Sequence, residues 1–243
     1  MCNCEGWMGE FLRRYRSGEC EQVWAELVAL GEAVRSPTLL PDARGVARET
    51  MERARSNIDT LVRRLRDLQY TFVADAAVVE PAPDVPQAIA ALEGRVGPIP
   101  LSLCAWWEVG GSADLRGTHP AWPDPRTWRY PDPLVLLPIE EALVDLNDYV
   151  YSEFNHAPPP GAQYPLTIAP DDAHKADVSG GEPYSIMVPA ATADALLREE
   201  WHETTLVNYL RICFRWGGFP GFARYPERPT ELLSFLAHGL AAV

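Results

Sequence analysis

The stretch IAALEGRVGPIPLSLCAWWEVGG, residues 89–111, decides how the middle of the chain folds. Its first apolar residues recur at spacings of three and four, which predicts one buried helix face made of Ile89, Leu92 and Val96. Gly97 ends this helix, and Pro100 opens a second, shorter one. Gly110 and Gly111 close the second helix, so the stretch predicts two short helices separated by a tight turn.

The second of these helices carries two consecutive tryptophans, Trp106 and Trp107. Successive residues of a helix point about 100° apart, which predicts one ring in the core and the other against a loop or a partner. A surface aromatic ring supplies a large apolar contact at low entropic cost and would serve recognition.

Upstream, the sequence predicts two amphipathic helices joined as an antiparallel hairpin. The first carries apolar residues from Val23 to Val34 and ends at Pro37. Asp42 is placed to cap the N-terminus of the second helix. The apolar stripe of the second helix is expected to pack on the rest of the protein and consists of Met51, Ala54, Ile58, Leu61, Leu65 and Leu68.

Charge is distributed unevenly along the chain. Residues 1–72 contain eleven acidic and eleven basic side chains, so the whole net charge of −13 lies in residues 73–243. The second helix is rich in arginine, but acidic residues at helical spacing favour a salt-bridged solvent face over an RNA-binding one. The acidity of the remainder argues against nucleic acids and anionic membranes as partners.

A proline-rich segment marks the expected domain boundary. Residues 73–86, VADAAVVEPAPDVP, predict a semi-rigid connection without regular structure. We therefore expect an N-terminal helical hairpin over residues 1–79 and a second domain over residues 80–243.

Farther along the chain, the sequence predicts a few unevenly spaced strands among helices. LVLLP at residues 134–138 is typical of a buried strand, and YPLTIAP and PYSIMVP indicate two strands joined by a polar loop. Thr192 or Asp194 is expected to start a helix that continues through Phe214, and a last helix begins near Pro229. Helices at both ends of a chain with few central strands predict an α+β fold.

Composition indicates the class of protein and its compartment. The chain has 243 residues, of which 47% are hydrophobic and 23% charged, as in ordinary globular proteins. No run approaches the roughly 18 apolar residues of a membrane span, and no secretory signal is recognisable, so we expect a cytoplasmic protein with no membrane partner. The five cysteines are scattered, which predicts reduced thiols.

Metal-ligand patterns are incomplete. Cys2 and Cys4 form a pair without the further ligands that a structural metal site needs. Glu199 and His202 would share one helix face, but a di-iron site requires a second copy of that motif. We therefore expect no metal and no cofactor.

The common catalytic fingerprints are absent from the sequence. The best catalytic candidate lies in DDAHKADVSGG, where His174 would act as base, Asp177 as its orienting carboxylate and Ser179 as nucleophile. Short polar residues beside two glycines are equally typical of a turn. We expect a protein that is not an enzyme and keep a hydrolase as the alternative.

An acidic, aromatic-bearing surface is the best candidate for binding a protein partner. It is expected to combine the loop at residues 110–133 with the helix at residues 139–148. Carboxylates there would attract a basic partner and aromatic rings would anchor it. The alternative is a loop folded on its own tryptophans with solvated carboxylates around it. The candidate residues are Asp114, Trp122, Asp124, Trp128, Tyr130, Asp132, Glu140, Glu141, Asp145 and Asp148.

The stretch at residues 89–111 resembles the opening of the SUKH superfamily, which is named after a fungal cell-wall-synthesis regulator and includes many bacterial immunity proteins. The matching pattern is a helix ending in a Leu-Glu pair, a glycine, a proline that starts a helix, bulky aromatics and a Gly-Gly turn. In this chain these positions are Leu92, Glu93, Gly97, Pro100, Trp106, Trp107, Gly110 and Gly111. The later order of strands and helices is also similar, up to a helix ending near Trp216. The N-terminal hairpin lies outside the resemblance.

The resemblance implies an α+β domain with a mainly antiparallel sheet and no catalytic centre. It implies binding to another protein, most often a toxin of nuclease or deaminase type that the immunity protein neutralises. An acidic surface that docks on a basic toxin domain is compatible with this expectation. An intracellular regulatory scaffold without a toxin partner is the further alternative.

Overall fold

The computed structural model describes residues 9–120, 122 and 131–243. Its N-terminal part is helical, with a seven-residue helix ahead of the two expected ones. The elements are α1 (Glu10–Arg16), α2 (Cys20–Ala29), a 3-10 turn (Gly31–Arg35) and α3 (Leu40–Asp67).

The expected role of Asp42 is wrong. Asp42 lies inside α3, and its carboxylate accepts hydrogen bonds from the backbone N–H groups of Phe11 (2.8 Å) and Leu12 (3.0 Å). These groups belong to the first turn of α1, whose amides have no partner within their own helix. Asp42 therefore caps the neighbouring helix instead of its own.

The apolar stripe of α3 is buried, as predicted. Met51, Ala54, Ile58, Leu61 and Leu65 are fully covered and join one hydrophobic core with the rest of the protein, while Leu68 is partly covered. Polar contacts also link α3 to distant residues: Arg55 Nη1 donates to the carbonyl of Gly110 (3.0 Å). Burial of this stripe is the main reason that the N-terminal helices stay attached.

The decisive stretch at residues 89–111 forms two helices and a turn. They are α4 (Val85–Val96), α5 (Leu101–Ala105) and a π-helical turn (Trp106–Gly110). A side chain at Gly110 would overlap the Trp106 ring, and one at Gly111, which has a φ of 69°, would overlap the backbone of Val79. Both glycines are thus required by close packing.

The two tryptophans of this turn are both buried, and Trp107 lies against the loop residue Leu137, which is one of the two placements expected for the second ring. The π turn, in which the Gly111 N–H donates to the Trp106 carbonyl (3.2 Å), lies between α3 and α4. Trp107 Nε1 donates to the carbonyl of Leu137 (3.3 Å). Neighbouring elements therefore cover both sides of the turn.

The strands are short and pair antiparallel throughout the described ranges. They form three small sheets, β1–β4, β2–β3–β5 and β6–β7. Their bounds are β1 (Thr71–Phe72), β2 (Val78–Val79), β3 (Ser112–Asp114), β4 (Gly117–Thr118), β5 (Val135–Leu136), β6 (Tyr164–Ala169) and β7 (Tyr184–Val188). β2 lies inside the segment predicted to lack regular structure, because its two residues precede the prolines and pair with β3.

The remaining helices belong to the second half of the chain. They are α6 (Ile139–Phe154), a 3-10 turn (His174–Ala176), α7 (Leu206–Arg215), a 3-10 turn (Pro220–Arg224) and α8 (Thr230–Ala237). No helix in the described part of the chain is long and apolar enough to cross a membrane. Helices packed around small antiparallel sheets confirm the α+β class. The division at residues 79 and 80 stays a prediction.

The helix expected from Thr192 or Asp194 begins later, at Leu206. The intervening residues form isolated bridges instead of a helix, including the pair of Leu196 with Thr205. Asp194 is buried and accepts hydrogen bonds from Ser102 Oγ (2.7 Å) and from the N–H of Val207 (3.0 Å). It caps α7 from outside, and burial raises its pKa.

Candidate protein-binding site

The acidic face of α6 is the part of the expected binding surface that the structure describes as exposed. α6 buries Ile139, Ala142 and Leu146 at spacings of three and four, so its opposite side points to solvent. We define the acidic face as Glu140, Glu141, Asp145 and Asp148, all of which are exposed. Two large apolar side chains accompany them, Val144 (58% exposed) and Tyr151 (60% exposed).

The four carboxylates of the acidic face form no ion pair and no side-chain hydrogen bond with another described residue. The nearby Arg95 donates to the amide oxygen of Asn147 instead (3.0 Å). Arg116 is held by Asp114 (2.6 Å), and this hydrogen bond raises the pKa of the Arg116 guanidinium. The four carboxylates of the acidic face are therefore not neutralised by an ion pair with any described residue, although Arg116 lies near enough for Glu141 to raise its pKa.

Asp132 was expected on the binding surface, but it is buried. Its carboxylate accepts a hydrogen bond from Lys175 Nζ (2.6 Å) and another from the hydroxyl of Tyr184 (3.3 Å), and both charged side chains are fully covered. A buried charge needs such a partner, because desolvation alone is very costly. The ion pair of Asp132 with Lys175 joins the chain ahead of β5 to the loop between β6 and β7. The two residues are 43 positions apart, so no local sequence pattern predicts their contact.

The other residues of the expected loop surface are less accessible or are not described. Asp114 is largely covered and bonded to Arg116. Trp122 is half-buried, with edge-on ring contacts to Phe219 (4.9 Å between centroids) and Tyr70 (5.6 Å). Trp122 thus packs on aromatic rings from outside its own loop and is not a fully exposed anchor. Three further candidates, Asp124, Trp128 and Tyr130, lie outside the described residues.

A groove of about 310 Å³ adjoins the acidic face, between α6 and the outer side of the β6–β7 hairpin. Three carboxylates and one guanidinium line it, so its balance of charge is negative. We call it the acidic groove, and its lining residues are Asp145, Tyr149, Pro165, Thr167, Glu182, Pro183, Ser185, Met187, Arg198 and Glu199.

The hydrolase alternative lacks its expected geometry. His174 Nδ1 is bonded to the carboxylate of Asp171 (2.7 Å), which also accepts the N–H groups of Ala173 (2.8 Å) and His174 (2.9 Å). Asp177 and Ser179 are exposed, and no hydrogen bond joins either side chain to the His174 ring in the described structure. The carboxylate beside His174 therefore organises a turn, as Asp side chains commonly do.

Glu199 and His202 do not share a helix face, because residues 194–203 are not helical. The His202 ring instead bonds the buried carboxylate of Glu200, whose pKa is raised by burial. The Trp201 ring stacks beside the His202 ring with 3.6 Å between centroids. Within residues 9–120, 122 and 131–243, no group of three or more His, Cys, Asp or Glu side chains is arranged to hold a metal ion.

Comparison with known proteins finds no matching family model, no matching curated protein and no matching solved structure.

Proposed function

We propose that this chain is a non-catalytic protein-binding module that uses the acidic face of α6 to dock on a basic protein. We further propose that the partner is a toxin domain of nuclease or deaminase type, which the chain neutralises as a cytoplasmic immunity protein. The resemblance of residues 89–111 to the SUKH superfamily supports the choice of partner class.

The observation that carries the proposal is the set of outward carboxylates on α6 that form no ion pair with a described residue. Such a face produces a negative potential that accelerates encounter with a basic surface and fixes its orientation. The exposed side chains of Val144 and Tyr151 offer apolar contacts beside it.

Helix stability accounts for the presence of only two of the four carboxylates of the acidic face. Glu140 and Glu141 lie in the first turn of α6, where negative charge is favoured by the helix dipole. Asp145 and Asp148 lie farther along, and Asp145 follows Glu141 at a spacing of four, at which like charges repel. Asp145 and Asp148 therefore oppose helix stability slightly, which is expected of residues kept for binding.

The test compares three forms of the full chain as capture reagents for lysate of the native cell: wild type, Asp145→Lys/Asp148→Lys and Glu32→Lys/Glu231→Lys. Both variants change the net charge from −13 by the same amount, and Glu32 and Glu231 are exposed on other elements. We expect wild type and the Glu32/Glu231 variant to retain one basic protein that the Asp145/Asp148 variant loses.

The retained protein is then assayed as a nuclease and as a deaminase with increasing amounts of the chain. The proposal predicts inhibition that is complete near one equivalent of wild-type chain. It is overturned if no basic protein is retained, if both variants retain it equally, or if the retained enzyme stays active.

A further inference from the structure

The chain contains a single lysine, Lys175, and its side chain is fully covered. The other 20 of the 21 Lys and Arg positions are arginine. A lysine ammonium can release a proton and then act as a nucleophile, whereas an arginine guanidinium stays charged in proteins. The sequence therefore places its only ε-amine inside the core, where arginine could not supply the same chemistry.

The carboxylate of Asp132 is the direct partner of this amine. It is also fully covered, and its Oδ1 lies 2.6 Å from Lys175 Nζ. The carboxyl carbon is one bond away from Oδ1, so the amine nitrogen lies beside an atom that it can attack. Two groups held together in this way react as if at an effective concentration of roughly 10⁵ to 10⁸ M, if they are well oriented.

The surroundings of the pair disfavour its charges. The rings of Tyr184 and Tyr209 lie 4.5 and 5.9 Å from Lys175 Nζ, and both residues are buried. Transfer of one proton from Nζ to the carboxylate leaves a neutral amine and a carboxylic acid, which removes two charges from a dry site. Burial raises the pKa of Glu200, and the Asp132 carboxylate raises it further, so a second acid opposes the negative charge of Asp132.

Two tyrosine hydroxyls bond the groups that would react. The hydroxyl of Tyr184 donates to Oδ2 of Asp132 (3.3 Å), the oxygen on which negative charge develops when a nucleophile attacks the carboxyl carbon. Lys175 Nζ donates to the hydroxyl of Tyr209 (3.3 Å), which helps to fix the position of the amine. The site thus has a nucleophile, an electrophilic carbon and a donor that stabilises the intermediate.

We propose that Lys175 and Asp132 condense to an amide, which is an isopeptide crosslink between their side chains. The lone pair of Nζ forms a bond to Cγ of Asp132, and the bond from Cγ to Oδ1 breaks. Oδ1 leaves as water with two of the three ammonium protons, and the third proton stays on the amide nitrogen. The step is a dehydration without a change of oxidation state, so it needs no further reactant.

The crosslink goes beyond the proposed binding function and does not depend on the partner. It joins the chain ahead of β5 covalently to the loop between β6 and β7, two segments that are 43 positions apart at Asp132 and Lys175.

The test measures the intact mass of the purified full chain after denaturation. We expect a mass that is lower by one water molecule than the mass calculated from the sequence. Acetylation of amines in the denatured chain should leave Lys175 unmodified, because its nitrogen already belongs to an amide. Proteolytic digestion should release one branched peptide that joins Lys175 to Asp132.

The matched variant is Lys175→Arg, which keeps the positive charge but cannot condense, because a guanidinium does not lose its proton. We expect this variant to have the full mass calculated from its sequence. An aspartate that cyclises on its own backbone also loses water, but hydroxylamine cleaves that product and leaves an isopeptide intact. If Lys175→Arg does not fold, the mass and the peptide map of wild type still decide. A full wild-type mass, an acetylated Lys175, or a loss of water that maps to another residue would overturn the inference.

Discussion

The helices α3 and α6 both carry many charged residues, but only α3 pairs them. Glu49 of α3 contacts Arg16 of α1 (2.9 Å) and Arg53 of its own helix (3.2 Å). Arg55 likewise bonds Asp59 (3.2 Å) and a carboxylate outside the helix. The acidic face of α6 has no such cation among the described residues.

This difference shows how charge can serve the fold in one helix and stay free for binding in another. The α3 ion pairs neutralise part of the charge of this helix at short range, over a deeply buried stripe. On α6 the carboxylates form no ion pair with a described residue, so their negative field extends to an approaching molecule. The contrast predicts that changes in α3 alter stability and that changes in α6 alter association.

The largest expected effect comes from the buried stripe of α3. Leu61→Ala removes a fully covered side chain and should lower the free energy of unfolding by about 3 kcal/mol. Val144→Ala on the exposed side of α6 should change it by less than about 0.5 kcal/mol. Urea unfolding of the full chain measures both. Similar losses in the two variants would contradict the proposed contrast between the helices.

A smaller effect is expected at Asp42, whose carboxylate caps α1 from within α3. Asp42→Ala leaves the N–H groups of Phe11 and Leu12 without that acceptor and should cost about 1 kcal/mol of unfolding free energy. Asp148→Ala removes a carboxylate that bonds no described residue and should leave stability nearly unchanged. If thermal unfolding ranks the two variants equally, the capping role of Asp42 is refuted.

The ion pairs of Glu49 on α3 should make a pH-dependent contribution to stability that the unpaired carboxylates of α6 do not make. Burial alone would raise the pKa of Glu49, but hydrogen bonds from Arg16 and Arg53 lower it below its ordinary value of 4.5. A lowered carboxyl pKa contributes stability above pH 4.5 that is lost as the pH falls through the lowered value.

We therefore expect Glu49→Gln to destabilise the protein by about 0.5 to 1 kcal/mol at neutral pH and hardly at all near pH 3. Asp148→Asn on α6 serves as the control, with no comparable loss at neutral pH. Unfolding curves recorded between pH 3 and neutral pH test this prediction. If the difference in unfolding free energy between Glu49→Gln and wild type is as large in acid as at neutral pH, the prediction is wrong.

Local signals in the sequence predicted where the helices of the central stretch end, since Gly97, Pro100 and the Gly-Gly turn act on their own neighbours. They failed where a cap comes from a distant residue. Asp42 looked like a cap of its own helix but caps α1, 31 residues away at the farther bonded amide. Asp194 does cap the helix expected after it, but from 13 residues before the bonded amide instead of directly at its start. No spacing rule in the sequence reveals such tertiary hydrogen bonds.

The candidate site was predictable to a similar extent. The acidic face of α6 follows from helical periodicity, which places its carboxylates opposite the buried residues. Asp132 has the same residue type but is buried against Lys175, 43 positions away in sequence. The acidic groove was equally hidden, because its floor and its rim come from elements that meet only in the folded protein.

Asp145 and Asp148 of α6 are expected to attract a basic partner and not to stabilise the fold. The most direct measurement is the association rate constant of the captured partner with wild type and with Asp145→Lys/Asp148→Lys, recorded at several ionic strengths. We expect association about ten-fold slower at low salt and a shallower salt dependence for this variant, with an unchanged melting temperature. Glu32→Lys/Glu231→Lys should slow association much less. Equal rates and equal salt dependence in Asp145→Lys/Asp148→Lys and wild type would contradict the account.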